Sequence, residues 1–117
     1  MIKYKGLRIR TWILIWLTGV KITFDNSIEV GGKYTYNNII LRDNSGDMVC
    51  LHEIGHHLNK YDCCREHDEW RAHGFAVGIA KILKLPANEI IKSNKEMDVY
   101  SGIGSVCART DVTSTVL

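Results

Sequence analysis

Residues 52–56 read His52-Glu53-Ile54-Gly55-His56, and their spacing constrains the fold before any other feature does. Two histidines four apart share a direction only if the segment is helical, where they differ by about 40° and stand one turn apart. Both imidazoles then reach one metal ion, and neutral imidazole is a good zinc ligand. Glu53 points about 100° round the axis. From there a carboxylate reaches a metal-bound water without occupying the metal, which is the place of a hydrolytic general base.

The flanks are predicted to continue this helix. Asp47 is the expected N-cap, and Met48, Leu51, Gly55 and Leu58 follow at spacings of 3, 4 and 3 as one buried stripe. Gly55 costs about 1 kcal/mol of helix propensity relative to Ala, so it is expected to serve close packing against another backbone.

A chain of 117 residues with a net charge of +2 reads as a single domain, 1–117, able to bury a modest core. Lys3, Lys5, Arg8 and Arg10 precede the short apolar run Trp12-Ile13-Leu14-Ile15-Trp16-Leu17. Residues 1–19 are read as an N-terminal helix that stops near Gly19 and packs through its tryptophans. The run lacks the small-x-small cleavage pattern of a secretory leader and is too short to span a bilayer. The basic cluster is read as a solvated helix face, so no nucleic-acid partner is expected, and the shortness of the apolar run leaves no membrane partner expected either. Cys50, Cys63, Cys64 and Cys107 form no CxxC pair. They suggest free thiols in the cytoplasm rather than a disulfide framework, with Cys63 or Cys64 as a metal ligand the minor alternative.

Between residues 20 and 45 the hydrophobic period shortens. Val20, Ile22 and Phe24 alternate with polar residues, Gly31-Gly32 turns the chain, and Ile39-Ile40-Leu41 precedes a polar loop. This predicts an antiparallel sheet of about three strands. A long helix is predicted over 66–84, halted by Pro86, and a weaker one over 87–98, broken by Ser101-Gly102. Residues 105–117 read as a frayed tail. The fold class is α+β, a short sheet packed with the motif helix and the long helix after it.

Hydrolytic zinc takes three protein ligands and leaves a place for water. Downstream candidates are Asp62, Glu66, His67, Asp68, Glu69 and His73. Ala72, Phe75, Ala76, Ile79 and Leu83 mark the buried face of the long helix. Glu69 continues that face one turn earlier, where an acid without a partner is costly. A zinc ion is such a partner, and Ala72, Gly74, Ala76, Gly78 and Ala80 would let this helix approach the motif helix. Glu69 is the preferred ligand, with Glu66 and Asp62 still open. Asp62 has its own argument, because His52 to Asp62 resembles the metzincin arrangement, with Asn59 at the glycine that turns the chain and Met97 a weak Met-turn candidate.

Two segments also resemble the ImmA/IrrE-type metallopeptidases: Ile39-Ile40-Leu41 with Cys50-Leu51-His52-Glu53-Ile54-Gly55-His56, and Glu69-Trp70-Arg71-Ala72-His73-Gly74-Phe75-Ala76. The second is similar to that family's ExEAxxFA segment, with Glu69 at its first Glu and Arg71 where a second Glu is usual. The resemblance covers roughly residues 20–85. It implies a zincin-like fold, one Zn²⁺ ion, and an intracellular peptidase acting on a transcriptional repressor or similar regulator of a phage or mobile element.

On the enzymatic reading, Zn²⁺ held by His52, His56 and Glu69 activates a water, and Glu53 accepts its proton and delivers it to the leaving amine. His73, one turn after Glu69, is the named donor to the oxyanion, with His67, Tyr61 and Tyr100 as others. The strand Ile39–Leu41 is expected to offer an edge to an extended peptide substrate. The rival reading is a non-catalytic zinc-containing module that sequesters a protein partner. Glu53 discriminates between them, since metal binding alone gives no reason for a carboxylate there.

Overall fold

Lys5 and Gly6 take positive φ, 54° and 84°, and that two-residue turn starts the chain as a hairpin rather than a helix. In this computed structural model, which describes residues 3–59 and 65–103 with side chains over 3–59 and 69–97, β1 (Lys3–Tyr4) pairs antiparallel with β2 (Leu7–Arg8). The first helix, α1 (Ile9–Thr18), therefore begins later than residues 1–19 suggested. It ends as expected at Gly19, whose φ of 71° and N–H bonds to Ile15 and Trp16 close the last turn.

The tryptophans of α1 do not both face the core. Trp12 is half-buried against Tyr4 and Phe24, whereas Trp16 is 79% exposed. Thr11 and Ile15 form the buried side of the helix. Arg8 departs from the expected solvated face too, since it is buried.

The three-stranded sheet is mixed, not antiparallel. Its order is β3 (Lys21–Phe24), β5 (Asn38–Leu41), β4 (Gly32–Thr35). A tight turn at Tyr36-Asn37, with Asn37 at φ 61°, makes β4 and β5 antiparallel. The longer connection after Phe24 carries the chain across β5's place, so β5 returns parallel to β3. β5 is thus central and has no free edge. Ile39 and Leu41 alternate inward from it and are fully buried.

Helix α2 (Asp47–Leu58) carries the HExxH motif across this sheet, and α3 (Arg65–Ile82) packs against it. Gly46 is the N-cap, at φ 99°, and Asp47 is the first helical residue instead of the cap. Its carboxylate is taken elsewhere: it accepts from the Arg8 backbone N–H (2.9 Å), the Arg8 guanidinium and the Thr11 hydroxyl (2.7 Å). A buried anion at a helix N-terminus is favoured by the local dipole. Met48, Leu51 and Gly55 are buried as the stripe required, but Leu58 at its end is exposed.

Gly55 faces the Ala72 backbone, the close contact its presence implied. The small residues of α3 divide in two. Ala72, Ala76 and Ala80 are fully buried toward the core, while Gly74 and Gly78 face outward with open space around them. They lie 100° or more round the helix from the alanines. Helix α4 (Ala87–Ile103) passes through Ser101-Gly102 instead of ending near 98. One glycine costs about 1 kcal/mol in a helix, too little to stop it unaided. The 105–117 tail lies outside the described residues. Among the described residues, no helix is long and apolar enough to cross a membrane.

Candidate metal centre and its cavity

One turn of α2 sets His52 beside His56, with ring centroids 4.9 Å apart. Because Gly55 brings α3 close, Glu69 reaches between them. His52 Nε2 lies 3.0 Å from Glu69 Oε1, and His56 Nε2 lies 2.7 Å from Glu69 Oε2. Each oxygen of one carboxylate thus accepts from a different imidazole. Burial alone would raise the Glu69 pKa, but the hydrogen bonds and charges of His52 and His56 outweigh it and hold the carboxyl at about 2.

These three side chains could hold a metal ion. Among the described residues they are the group of His, Cys, Asp and Glu whose donor atoms all lie within 4.8 Å of one another. Tetrahedral zinc, with ligands at about 2.0–2.1 Å, needs donors separated by about 3.3 Å. The two contacts that Glu69 makes to the rings, 3.0 and 2.7 Å, are shorter than this by a fraction of an ångström. Two neutral nitrogens and one carboxylate oxygen are also the chemistry of a hydrolytic zinc centre.

Glu53 is on the same helix but stands apart from the cluster. It is 7% exposed, and among the described residues its carboxylate has no hydrogen-bond or ion-pair partner. Burial pushes its pKa up, and Glu69 adds to the rise, while His52 and His56 oppose it. It lines a cavity of about 240 Å³ together with His52, Glu69 and His73. Gly31 and Gly32 form the facing wall. A Cβ on Gly32 would fall 2.8 Å from Leu41 Cδ2, 2.9 Å from Val49 Cγ1 and 3.4 Å from Glu53 Cγ. The glycine lets β4 lie directly over the motif helix.

His73 is buried on the cavity wall, 6.5 Å from His52 between ring centroids. Its Nε2 is 2.7 Å from Asn94 Oδ1 of α4. His57 faces away from the cluster, with Nδ1 3.0 Å from the Tyr34 hydroxyl. Cys50 is buried in the core, which pushes its thiol pKa far above the usual range. Asp62, Tyr61, Cys63 and Cys64 lie outside the described residues, as do the side chains of Glu66, His67 and Tyr100. Two features of the metzincin-like alternative are absent. Asn59 has φ −109° and ψ 67° instead of a left-handed turn, and its amide donates to the Gly55 carbonyl at 2.8 Å. Met97 lies within α4 rather than in a turn.

Several cavity residues were not singled out from the sequence. Ser93 and Glu96 of α4 close one side together with Met97, which was weighed only for a turn; their helix read as weak, and nothing in its pattern points at the motif. Gly31-Gly32 was visible, but as a turn signal rather than as a wall. Arg8 read only as part of a solvated basic face, and Glu89 was not singled out. Arg8 Nη2 bonds Glu89 Oε2 at 2.7 Å while its other end holds Asp47, tying β2, the start of α2 and α4 together. No family model matches the chain, and comparison with curated proteins and solved structures gives no match either.

Proposed function

We propose that the chain is a zinc-dependent peptidase of the ImmA/IrrE kind, with His52, His56 and Glu69 holding one Zn²⁺ and Glu53 serving as the general base. The observation that carries this reading is the buried Glu53 carboxylate, unpaired among the described residues and open to the cavity that His52 and Glu69 also line. Burying an unpartnered carboxylate is costly, and a purely structural zinc site gives no return for it. Perturbed carboxylates in clefts are where acid–base chemistry is found.

When bound, zinc supplies a Lewis acid that polarises a carbonyl and lets water ionise near neutral pH. Glu53 then takes the proton of the attacking water and passes it to the departing amine. Its raised pKa brings it closer to neutrality, where transfer in both directions is efficient. His73, held by Asn94, is the proposed donor to the oxyanion.

The substrate is proposed to be an extended segment of a repressor-like regulatory protein, met in the cytoplasm. With β5 central, the pairing edge moves to β4. Among the described residues the outer side of β4 has no strand partner, and Gly31-Gly32 place that strand against the cavity. Main-chain pairing there would lay a peptide across the donors.

Glu53→Gln tests the reading. Zinc content, measured by mass spectrometry, should stay at one ion per chain, while hydrolysis of a peptide library falls by at least about 10²-fold. A variant that keeps both its zinc and its biological effect identifies a module that binds its partner without cutting it.

A further inference from the structure

Residues 1–24 contain five basic side chains, Lys3, Lys5, Arg8, Arg10 and Lys21, and no acidic one. Within that stretch α1 exposes Ile9, Ile13, Trp16 and Leu17, at 65%, 51%, 79% and 66%. Positions i, i+4, i+7 and i+8 form a single stripe about 100° wide. It lies opposite Thr11 and Ile15, which are buried. Tyr4, 64% exposed, extends the patch across the Trp12 ring, 5.7 Å away. Isolated exposed apolar residues need no explanation, but a continuous helical stripe carrying a tryptophan does.

Charge selects the occupant. Arg8 is committed to Asp47 and Glu89, and Lys5 lies 4.0 Å from Asp43. Among the described residues, Arg10 and Lys21 have no carboxylate at ion-pair distance, whereas the Lys3 charge acts on Glu89. Arg10 donates instead to the Leu83 carbonyl at 2.7 Å. A second copy of the chain, meeting this face with its own, would set one basic rim against another. An anionic lipid surface accepts both features: the apolar stripe enters the boundary between headgroups and acyl chains, and the cations meet the phosphates.

We propose that the outer face of α1 docks the protein on anionic membrane surfaces through Ile9, Ile13, Trp16 and Leu17, with Arg10 and Lys21 at the headgroups. The helix, ten residues long, lies on the bilayer instead of crossing it. This inference stands independently of the peptidase reading.

Co-sedimentation of the full chain with phosphatidylcholine vesicles, with and without phosphatidylglycerol, tests it. Binding should require phosphatidylglycerol, weaken as salt rises, and fall roughly five-fold for Lys21→Gln. Trp16→Ser and Ile13→Ser are surface changes that should leave the far-ultraviolet circular dichroism unchanged and abolish binding. Brominated lipid should quench the wild-type tryptophan fluorescence more strongly than that of Trp16→Ser. Failure to bind anionic vesicles, or binding that survives both apolar substitutions, overturns the proposal. So does a dimer in sedimentation equilibrium that Trp16→Ser converts to monomer, which would assign the face to a second copy.

Discussion

A Cβ added to Gly55 would lie 2.7 Å from the Cα of Ala72 and 2.8 Å from its carbonyl oxygen. Both obstacles are backbone, so no side chain can rotate aside. Gly55→Ala gains about 1 kcal/mol in helix propensity, yet forcing α2 and α3 apart should cost about 1–3 kcal/mol. The second effect wins, and urea unfolding should show a lower midpoint. Because the two helices carry the donors jointly, zinc affinity in a chelator competition should also drop, by roughly tenfold.

Glu69→Gln should fold and lose zinc, its affinity falling by more than about 100-fold, since an amide cannot replace a carboxylate between His52 and His56. Asp62→Asn should retain one ion per chain. Mass spectrometry of the two purified variants checks this. Loss of metal in Asp62→Asn alone would assign the third ligand to the segment after α2.

Asp47→Asn should be among the most damaging changes outside the cavity. It removes the charge opposite the buried Arg8 guanidinium and disturbs the bond from Thr11. Breaking a buried pair from one side costs about 3–5 kcal/mol, and the surviving Glu89 contact places the expectation at the low end, about 3 kcal/mol. Arg8→Met combined with Asp47→Leu should cost less than Asp47→Asn alone, as a denaturant series would show.

Acid should weaken the tie between α4 and the hairpin. The Arg8 hydrogen bond, with Arg8 and Lys3 charges behind it, holds Glu89 below the usual carboxylate range against a smaller opposing effect of burial. A depressed folded pKa favours the native state above the unfolded value, about 4.3. The advantage is lost as pH falls from there through the folded value. Thermal midpoints measured across this range should fall less steeply in Glu89→Gln than in the wild type.

What the sequence made legible was local and periodic. Four-residue spacing announced α2 and the direction of both imidazoles, and the apolar stripe of α3 led through Ala72 to Glu69. Gly55 declared a close neighbour without saying which. The failures share a cause, because each depended on distant partners. No alternation pattern distinguishes β3 running parallel to β5 from antiparallel, since both bury Ile39 and Leu41 equally. Arg8 resembled its neighbours Lys5 and Arg10 in every local respect, and its burial follows from Asp47 and Glu89, 39 and 81 residues away. The cavity wall from α4 was hidden for the same reason. Ser93 and Glu96 are ordinary helix-surface residues until the chain folds back.

The Arg8 clasp also bears on the order in which the molecule is built. During synthesis the hairpin emerges before α4, so its guanidinium waits for an acid made 81 residues later. Until Glu89 emerges, the clasp that anchors the start of α2 is half made, and α4 is not yet available to wall the cavity. A half-synthesised copy would therefore carry His52, Glu53 and Glu69 without the finished cavity they line.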